Sequence, residues 1–404
     1  MKIWKHTKED IINTVYWSER GKDMKFFHLS DLHIGLKLFS KDLSEDQKYI
    51  FDQIVGYAKR EKPDAVVIAG DIYDKALPSA EAVTLFDDFI SSLVSAVPDA
   101  TIMMISGNHD SAPRVNVYRN ILKNRNIYMI GQPPQMKDEY IEKVTMSDSY
   151  GNVNFYLLPF VKPSMVKEIT GVDEKGNNLS YNEALHKLVE RENIVESERN
   201  VFVSHQFYLP VGKSAEDIDR MDSEIVTVGN IDSVKADILQ PFDYAALGHI
   251  HKPMKVGSEF YRYSGTPIAC SVSEAEQSKG VIVVEMNEKG NIKTDVLPLN
   301  PLRKVRVIKG LLSEILKMGS DDYVTIIITD KEDLDTIDMQ DRIRNEFPNL
   351  LEIRRDIERR TDYNANFNPE EELNPFELCN AFLPDLTEEE KKLLRDVINY
   401  ANNV

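Results

Sequence analysis

One pattern constrains this chain more than any other: short apolar runs that end in Asp, Asn or His. Residues 101–110 read TIMMISGNHD, where Ile102–Ile105 run into Ser106 and Gly107 and then into Asn108, His109 and Asp110. A short apolar run bounded by turn residues predicts a buried strand, with the polar cluster at its carboxyl end. Gly107 is expected to permit a tight turn there. Four more runs end alike. Phe26–Leu29 leads to Asp31 and His33, Ala65–Ala69 to Gly70 and Asp71, Val201–Ser204 to His205, and Tyr244–Leu247 to Gly248, His249 and His251. In open α/β sheets, ligands bind beyond the carboxyl ends of strands. The repetition therefore predicts one site assembled from distant parts of the chain.

The intervening segments predict an α/β fold. Ser44-Glu45-Asp46-Gln47 has the form of a capping box ahead of Ile50, Ile54, Tyr57 and Ala58 at helical spacing. Pro78-Ser79 opens a second helix with Ala82, Phe86, Phe89, Ile90 and Leu93 on one face. Strands alternating with such helices argue for βαβ units and a mostly parallel sheet. A short helix is expected near Val115–Leu122, a hairpin from Tyr140–Thr145 and Val153–Leu158, and a helix around Ala184–Val189. Phe260–Tyr263, Val281–Met286 and Ile292–Leu297 read as antiparallel strands closing a second sheet, the last pair joined by the turn Asn287–Asn291. The expected architecture is a sandwich of two sheets flanked by helices.

Pro298 and Pro301 mark a boundary, after which Val305–Ile308, Leu311–Met318, Tyr323–Thr329, Met339–Asn345 and Leu351–Ile353 read β-α-β-α-β. The expected organisation is an N-terminal extension (1–23, an appendage ahead of Met24), a main domain (24–300), a small α+β capping domain (301–360), and a linker with C-terminal helices (361–404). In the last region Thr387-Glu388-Glu389-Glu390 forms another capping box, and Leu393, Leu394, Val397, Ile398 and Ala401 follow as an amphipathic stripe.

Composition excludes some roles. A formal net charge of −18 over 404 residues counts against a stand-alone nucleic-acid binder, though not against an enzyme whose metals and partner supply positive field. No run approaches the roughly 18 apolar residues of a membrane span, and MKIWKHTKED lacks an apolar signal core. The expectation is a cytoplasmic chain with no membrane contact. Cys270 and Cys379 are far apart and read as packed, reduced residues.

Asp31 and His33, at i and i+2 on an extended segment, point to one side and can hold one metal. Asp71 offers a carboxylate able to bridge two metals, Asn108 an amide oxygen, and His205, His249 and His251 imidazoles. This thiolate-free set suits Mn, Fe, Zn or Mg rather than a structural zinc site. It exceeds what one ion needs, so two are implied. A pair about 3.5–4 Å apart suits in-line displacement at phosphorus. His6 and His186 read as structural, and His28 as a core residue or one that supports the site from behind. Gly212-Lys213-Ser214 resembles the end of a P-loop, but Phe207 stands where the loop needs Gly, so no ATP site is expected in this chain.

Together DLH (31–33), GD (70–71), GNHD (107–110), His205 and GHIH (248–251) resemble the calcineurin-like metallophosphoesterase superfamily. The fuller forms SDLHIG, AGDIYDKALPS, SGNHDSAPR and ALGHIHKP are similar to the nuclease-subunit family of bacterial SbcCD complexes. The resemblance implies a DNA exonuclease and endonuclease acting in end processing, repair and recombination. It implies one ion, Mn2+ with Mg2+ as the alternative, on Asp31, His33, Asp71 and His251, and a second on Asp71, Asn108, His205 and His249. It makes His109 the catalytic histidine at the scissile phosphate, a suitable task for an imidazole near neutral pH. Asp110 is expected to orient His109, and Asp74 to stand behind the site or at the phosphate.

The implied partners are DNA and an SbcC-type coiled-coil ATPase docked on residues 375–401, with the chain a homodimer within a heterotetramer. Arg114 and Arg119 are candidate DNA contacts. Arg354, Arg355, Arg359 and Arg360, interrupted by Asp356 and Glu358, read as a solvated ion-pair face. Phe86, Phe89, Ile90 and the 115–122 helix are candidate dimer contacts. The alternative is another metallophosphoesterase, a nucleotidase or small-molecule phosphodiesterase. GNHD in place of GNHE argues against a protein phosphatase.

Overall fold

A computed structural model describes residues 16–17, 23–117, 119–210, 212–213, 218, 221–224, 232–330, 336–356, 376 and 386–401. The chain forms two compact units, Met1–Arg354 and Arg355–Val404.

The first unit begins β1 (Met24–Leu29), α1 (Ser44–Glu61), β2 (Ala65–Ala69), α2 (Ala80–Ala96), β3 (Thr101–Ile105) and β4 (Ile127–Ile130). It continues with β5 (Glu142–Asp148), β6 (Gly151–Leu158), α3 (Tyr181–Glu190), β7 (Arg199–His205), β8 (Tyr244–Gly248), β9 (Met254–Val256), β10 (Ser258–Tyr263), β11 (Lys279–Met286) and β12 (Ile292–Leu299). One sheet has the order β12-β11-β1-β2-β3-β4, with β1 to β4 parallel. The other runs from the two-residue strand Tyr16–Trp17 through β5, β6, β7, β8 and β10 to β9, with β6, β7, β8 and β10 parallel.

Side-chain alternation explains the layers. Phe26, Val67, Met103, Val203 and Tyr244 point into one apolar layer between the sheets. Phe27, Ile68 and Met104 point outward onto α1 and α2. Phe202 and Leu247 point outward onto α3. The central strands are covered on both faces, which is why they read as continuous apolar runs.

Several expectations need correction. Val281–Met286 and Ile292–Leu297 do not close the second sheet; as β11 and β12 they extend the first, antiparallel to β1. Only Phe260–Tyr263, within β10, joins the second, and it lies parallel to β8. Val281 and Val283 face the helices while Ile282 and Val284 face the other sheet. Such two-sided burial suits an interior position, and an apolar run does not encode its neighbour. Residues 1–23 are not wholly an appendage, since Tyr16–Trp17 pairs with Met146–Ser147. The single helix near 115–122 is two, Ala112–Val115 and Arg119–Lys123.

Ser44 and Gln47 do not form a capping box. Leu43 is the N-cap without a side-chain bond, and Ser44 donates to Asp42 instead. Ser79 does cap α2, accepting from Ala82 N–H at 3.3 Å. Phe89 and Ile90 are not available for a dimer face: they are buried, and the Phe89 ring stacks on Phe51 with centroids 4.4 Å apart.

After β12 the chain forms β13 (Val305–Gly310), α4 (Leu312–Ile315), β14 (Tyr323–Ile328), α5 (Thr336–Glu346) and β15 (Leu350–Arg355), with strand order β13-β14-β15 around Ile308, Val324, Ile326, Ile343 and Phe347. Arg354 pairs with Glu352 at 2.5 Å. In the second unit, helix α6 (Glu388–Ala401) carries the expected box: Thr387 Oγ1 donates to Glu390 Oε2 at 2.7 Å and accepts from Glu390 N–H at 3.4 Å. Leu393 and Val397 on its stripe are exposed. His6, residues 361–375, Arg359, Arg360 and Cys379 lie outside the described residues.

His28 shows how the sheets lock. It is fully buried on β1; its Nε2 donates to the Leu247 carbonyl (3.2 Å), so its Nδ1 accepts from the Tyr244 hydroxyl (3.0 Å). Burial pushes its pKa down to about 3. The unfolded chain takes up this proton near pH 6.5, the native chain only near pH 3. Acidification through that window therefore favours unfolding, by about 1.4 kcal/mol per pH unit at most. His28→Gln keeps both hydrogen-bonding roles without the titration. Denaturant titrations between pH 7 and 4.5 are expected to show a loss of stability about 2–3 kcal/mol smaller in the variant than in the wild type.

Candidate metal centre

The carboxyl ends of β1, β2, β3, β7 and β8 meet at one edge of the sandwich. Backbone bonds join the loops that follow. Asp31 N–H donates to the Gly70 carbonyl (2.9 Å) and His33 N–H to that of Asp71 (3.0 Å). His249 N–H donates to Asp31 Oδ1 across the sheets (3.0 Å). Asp31, His33, Asp71 and His249 all have positive φ, at 52°, 43°, 48° and 110°. Left-handed backbone is uncommon outside Gly, and its concentration here marks a site held in shape by its surroundings. Gly107 lacks a positive φ. It is required by close approach instead: a Cβ there would lie 2.2 Å from Asp71 Oδ1.

All seven predicted ligands are brought together. Asp31, His33 and His251 form one convergent group and Asp31, Asp71 and His205 another, both buried. His33 Nε2 lies 3.1 Å from His251 Nε2. Asp71 Oδ2 is 3.7 Å from His33 Nε2 and 3.2 Å from His205 Nε2, and so stands between the groups. Asn108 Oδ1 lies 2.9 Å from His205 Nε2 and 2.8 Å from His249 Nδ1.

Proton placement tests whether cations fit. His205 Nδ1 faces the Ala69 carbonyl at 2.8 Å. A carbonyl only accepts, so this nitrogen carries a proton. In the neutral ring Nε2 is then a lone pair, and it faces oxygens of Asp71 and Asn108 that also present lone pairs. Without metal, a proton on Nε2 bridges His205 to Asp71; a divalent cation can take that proton's place among the converging donors, and Asp71 stands between the two groups.

Charge is displaced accordingly. Burial pushes the Asp31 carboxyl up to about 6, against the pull of His205 and His251. Burial also opposes charge on Asp71, but His205 and His33 outweigh it and hold Asp71 below the usual carboxylate range. Burial opposes charge on His205, yet Asp71 and Asp31 lift it to about 9. Burial, reinforced by His251, drives His33 well below its ordinary value.

Asp110 needs a different role from the expected one. Its carboxylate accepts from the backbone N–H groups of Ile72 (3.0 Å), Tyr73 (2.9 Å) and Gly107 (2.9 Å), tying the β2 and β3 loops together. His109 is held elsewhere: its Nδ1 donates to the Asp74 carbonyl at 2.9 Å, and its ring stands edge-on to His33 with centroids 4.8 Å apart. Arg114 is exposed, whereas Arg119 is bound to Glu142. His186 lies on α3, 3.1 Å from Asp237 and apart from the site.

Supporting residues escaped the sequence. Gln47 reaches back from α1, accepting from Gly35 N–H (3.0 Å) and donating to the His33 carbonyl (2.7 Å). The sole signal there, the apparent capping box, pointed elsewhere. Ser223 and Glu274 stand behind His251 with no motif to announce them.

This fold, with mixed carboxylate, amide and imidazole donors at strand ends, defines a metallophosphoesterase. The calcineurin-like phosphoesterase family profile matches residues 24–253, which hold every candidate ligand, and the chain belongs to that family. Residues 301–385 match the type 5 capsule protein repressor C-terminal domain. The chain is 31% identical over 353 residues to the SbcD component of the nuclease SbcCD of Staphylococcus epidermidis, covering 85% of this chain and 88% of the relative. It is 34% identical over 292 residues to the same component of the nuclease SbcCD of Staphylococcus saprophyticus, covering 71% and 72%.

Asp71→Asn removes the charge that both groups share. Equilibrium dialysis against Mn2+ is expected to show one ion or none per chain in the variant against two in the wild type, with unchanged circular dichroism. Two ions retained at wild-type affinity would contradict the sharing.

Proposed function

We propose that this chain is the nuclease component of an SbcCD-type complex, hydrolysing DNA phosphodiester bonds with two divalent ions. The observation that carries this is the Asp71 carboxylate between His33 and His205, supported by the nuclease names of its relatives. Asp31, His33, Asp71 and His251 would hold one ion, and Asp71, Asn108, His205 and His249 the other. Bound there, the ions would acidify a water and stabilise the attacking and leaving oxygens.

The chain's own residues supply the remainder. The Asp74 carbonyl fixes the Nδ1 proton of His109. Nε2 of His109 is left as the nitrogen that can face the phosphate and, when the ring is an imidazolium, give its second proton to the leaving oxygen. Asp110 holds the loops that carry Asp71 and His109 in register. Exposed Arg114 suits a DNA phosphate better than Arg119, which Glu142 engages.

Mn2+ is the proposed metal on the family resemblance, since the oxygen and imidazole donors by themselves also suit Fe, Zn or Mg. An SbcC-type ATPase is the proposed partner, and the exposed Leu393 and Val397 stripe of α6 its docking face. The proposed assembly pairs two copies of this chain with two of the ATPase, in the cytoplasm. Among the described residues no helix is long and apolar enough to cross a membrane.

The test is cleavage of labelled single- and double-stranded DNA with Mn2+. His109→Ala is expected to retain both ions and lose at least about 100-fold in rate, the scale of one acid–base group. Hydrolysis of nucleotides or small phosphodiesters without DNA cleavage would favour the alternative phosphoesterase. Deleting residues 370–404 is expected to abolish co-purification with the ATPase and to preserve Mn2+-dependent cleavage. Unchanged co-purification would refute that docking face.

A further inference from the structure

His251 has two ring nitrogens with different surroundings. Nε2 faces His33 inside the candidate centre. Nδ1 faces away, 2.7 Å from the Ser223 hydroxyl and 3.4 Å from Glu274 Oε1. Which nitrogen carries the proton decides whether His251 can serve a metal through Nε2.

Glu274 is fully buried and surrounded by donors. Its Oε2 accepts from Lys279 Nζ (2.6 Å) and Thr266 Oγ1 (2.9 Å). Its Oε1 accepts from Ser223 (2.8 Å) and Ser271 (3.1 Å). A buried carboxylate with a lysine counter-ion and several donors is retained in its acceptor-only form. Lys279 also donates to the backbone carbonyl of His251 (3.1 Å), so the pair grips both the ring and the main chain of this residue.

Proton counting with these distances favours one arrangement in the neutral ring. Ser223 has a single hydroxyl proton. If Ser223 gave it to His251, a bare Nδ1 would face the lone pairs of Glu274 Oε1 at 3.4 Å; giving it to Glu274 avoids that repulsion and turns a lone pair toward His251. His251 Nδ1 must donate to it, which leaves Nε2 bare.

We infer that Glu274, acting through Ser223 and countered by Lys279, is the positioning residue that holds His251 in its Nδ1–H tautomer. The inference rests on the proposed two-metal reading and adds to it the groups that prepare one ligand. None of Ser223, Glu274 and Lys279 belongs to the strand-end motifs.

Glu274→Gln is the sharpest test. The amide keeps the shape and can donate to Ser223, which then turns its proton on His251 Nδ1 and drives the ring proton to Nε2. Binding of Mn2+ by the full chain is measured by isothermal titration calorimetry, without substrate. The weaker-binding site is expected to lose about 10–100-fold in affinity, the usual scale for such outer partners. The second ion should bind as in the wild type, while the metal-free variant should melt below the wild type because Lys279 loses its buried counter-ion.

Ser223→Ala provides a second reading if Glu274→Gln fails to fold, because Ser223 is only partly buried. Direct contact with Glu274 can then replace the bridge, so a smaller loss is expected, and Ser223→Thr should restore binding. Wild-type affinity in a folded Glu274→Gln, or in Ser223→Ala if that is the folded variant, overturns the inference. Absence of Mn2+ binding in the wild type would instead overturn the metal-centre reading on which it rests.

Discussion

The structure depends on burying like groups together. Asp31, Asp71, His33, His205 and His251 are each at most 2% exposed and lie within a few ångströms of one another. Removing carboxylates from water costs several kcal/mol unless each is paired. Here the partners are imidazoles: a proton on His205 pairs with Asp71, while ring nitrogens of His33 and His251 turn toward one another. Protons compensate this arrangement incompletely, and divalent cations compensate it well. Metal binding thus follows from electrostatics before any family resemblance is invoked.

Two sheets are needed to present so many donors at one place. Each parallel strand delivers its final residues to the same edge, and the second sheet doubles the number of strand ends. Positive φ at Asp31, His33, Asp71 and His249 turns the backbone sharply after β1, β2 and β8. That conformation is costly for residues other than Gly. It is held by loop-to-loop bonds such as those from Asp110 to Ile72, Tyr73 and Gly107. The opposite end of the sandwich is pinned by buried Arg199, which binds Asp148 and the carbonyls of Met286 (3.0 Å) and Gly151 (2.7 Å), while Asp148 accepts from Met24 N–H (2.8 Å). With both ends fixed, the strands have little freedom to slide.

Around the candidate ligands the chain places side chains that touch neither metal nor substrate. Gln47 holds the His33 carbonyl from the first turn of α1. His205 is oriented by a carbonyl of β2, and His109 by that of Asp74. In each case a backbone or side-chain acceptor fixes one nitrogen and so determines what the other can do. The site's chemistry is thereby set by groups one step removed from it.

The strand-end motifs, the identity of the candidate ligands, α1, α2, α6 and the β-α-β-α-β order after Pro301 were all legible in the order of residues. These are local patterns of period 2 or 3.6, turn residues and caps, which a chain displays wherever it folds. Packing in three dimensions was needed to put β11 and β12 beside β1, to turn Gln47 toward a loop rather than a helix cap, to make Gly107 necessary under Asp71, and to bring Glu274 and Lys279 behind His251. Those are contacts across tens to hundreds of residues. No local pattern carries them, because which surfaces meet depends on how two buried sheets pack and not on the spacing within either.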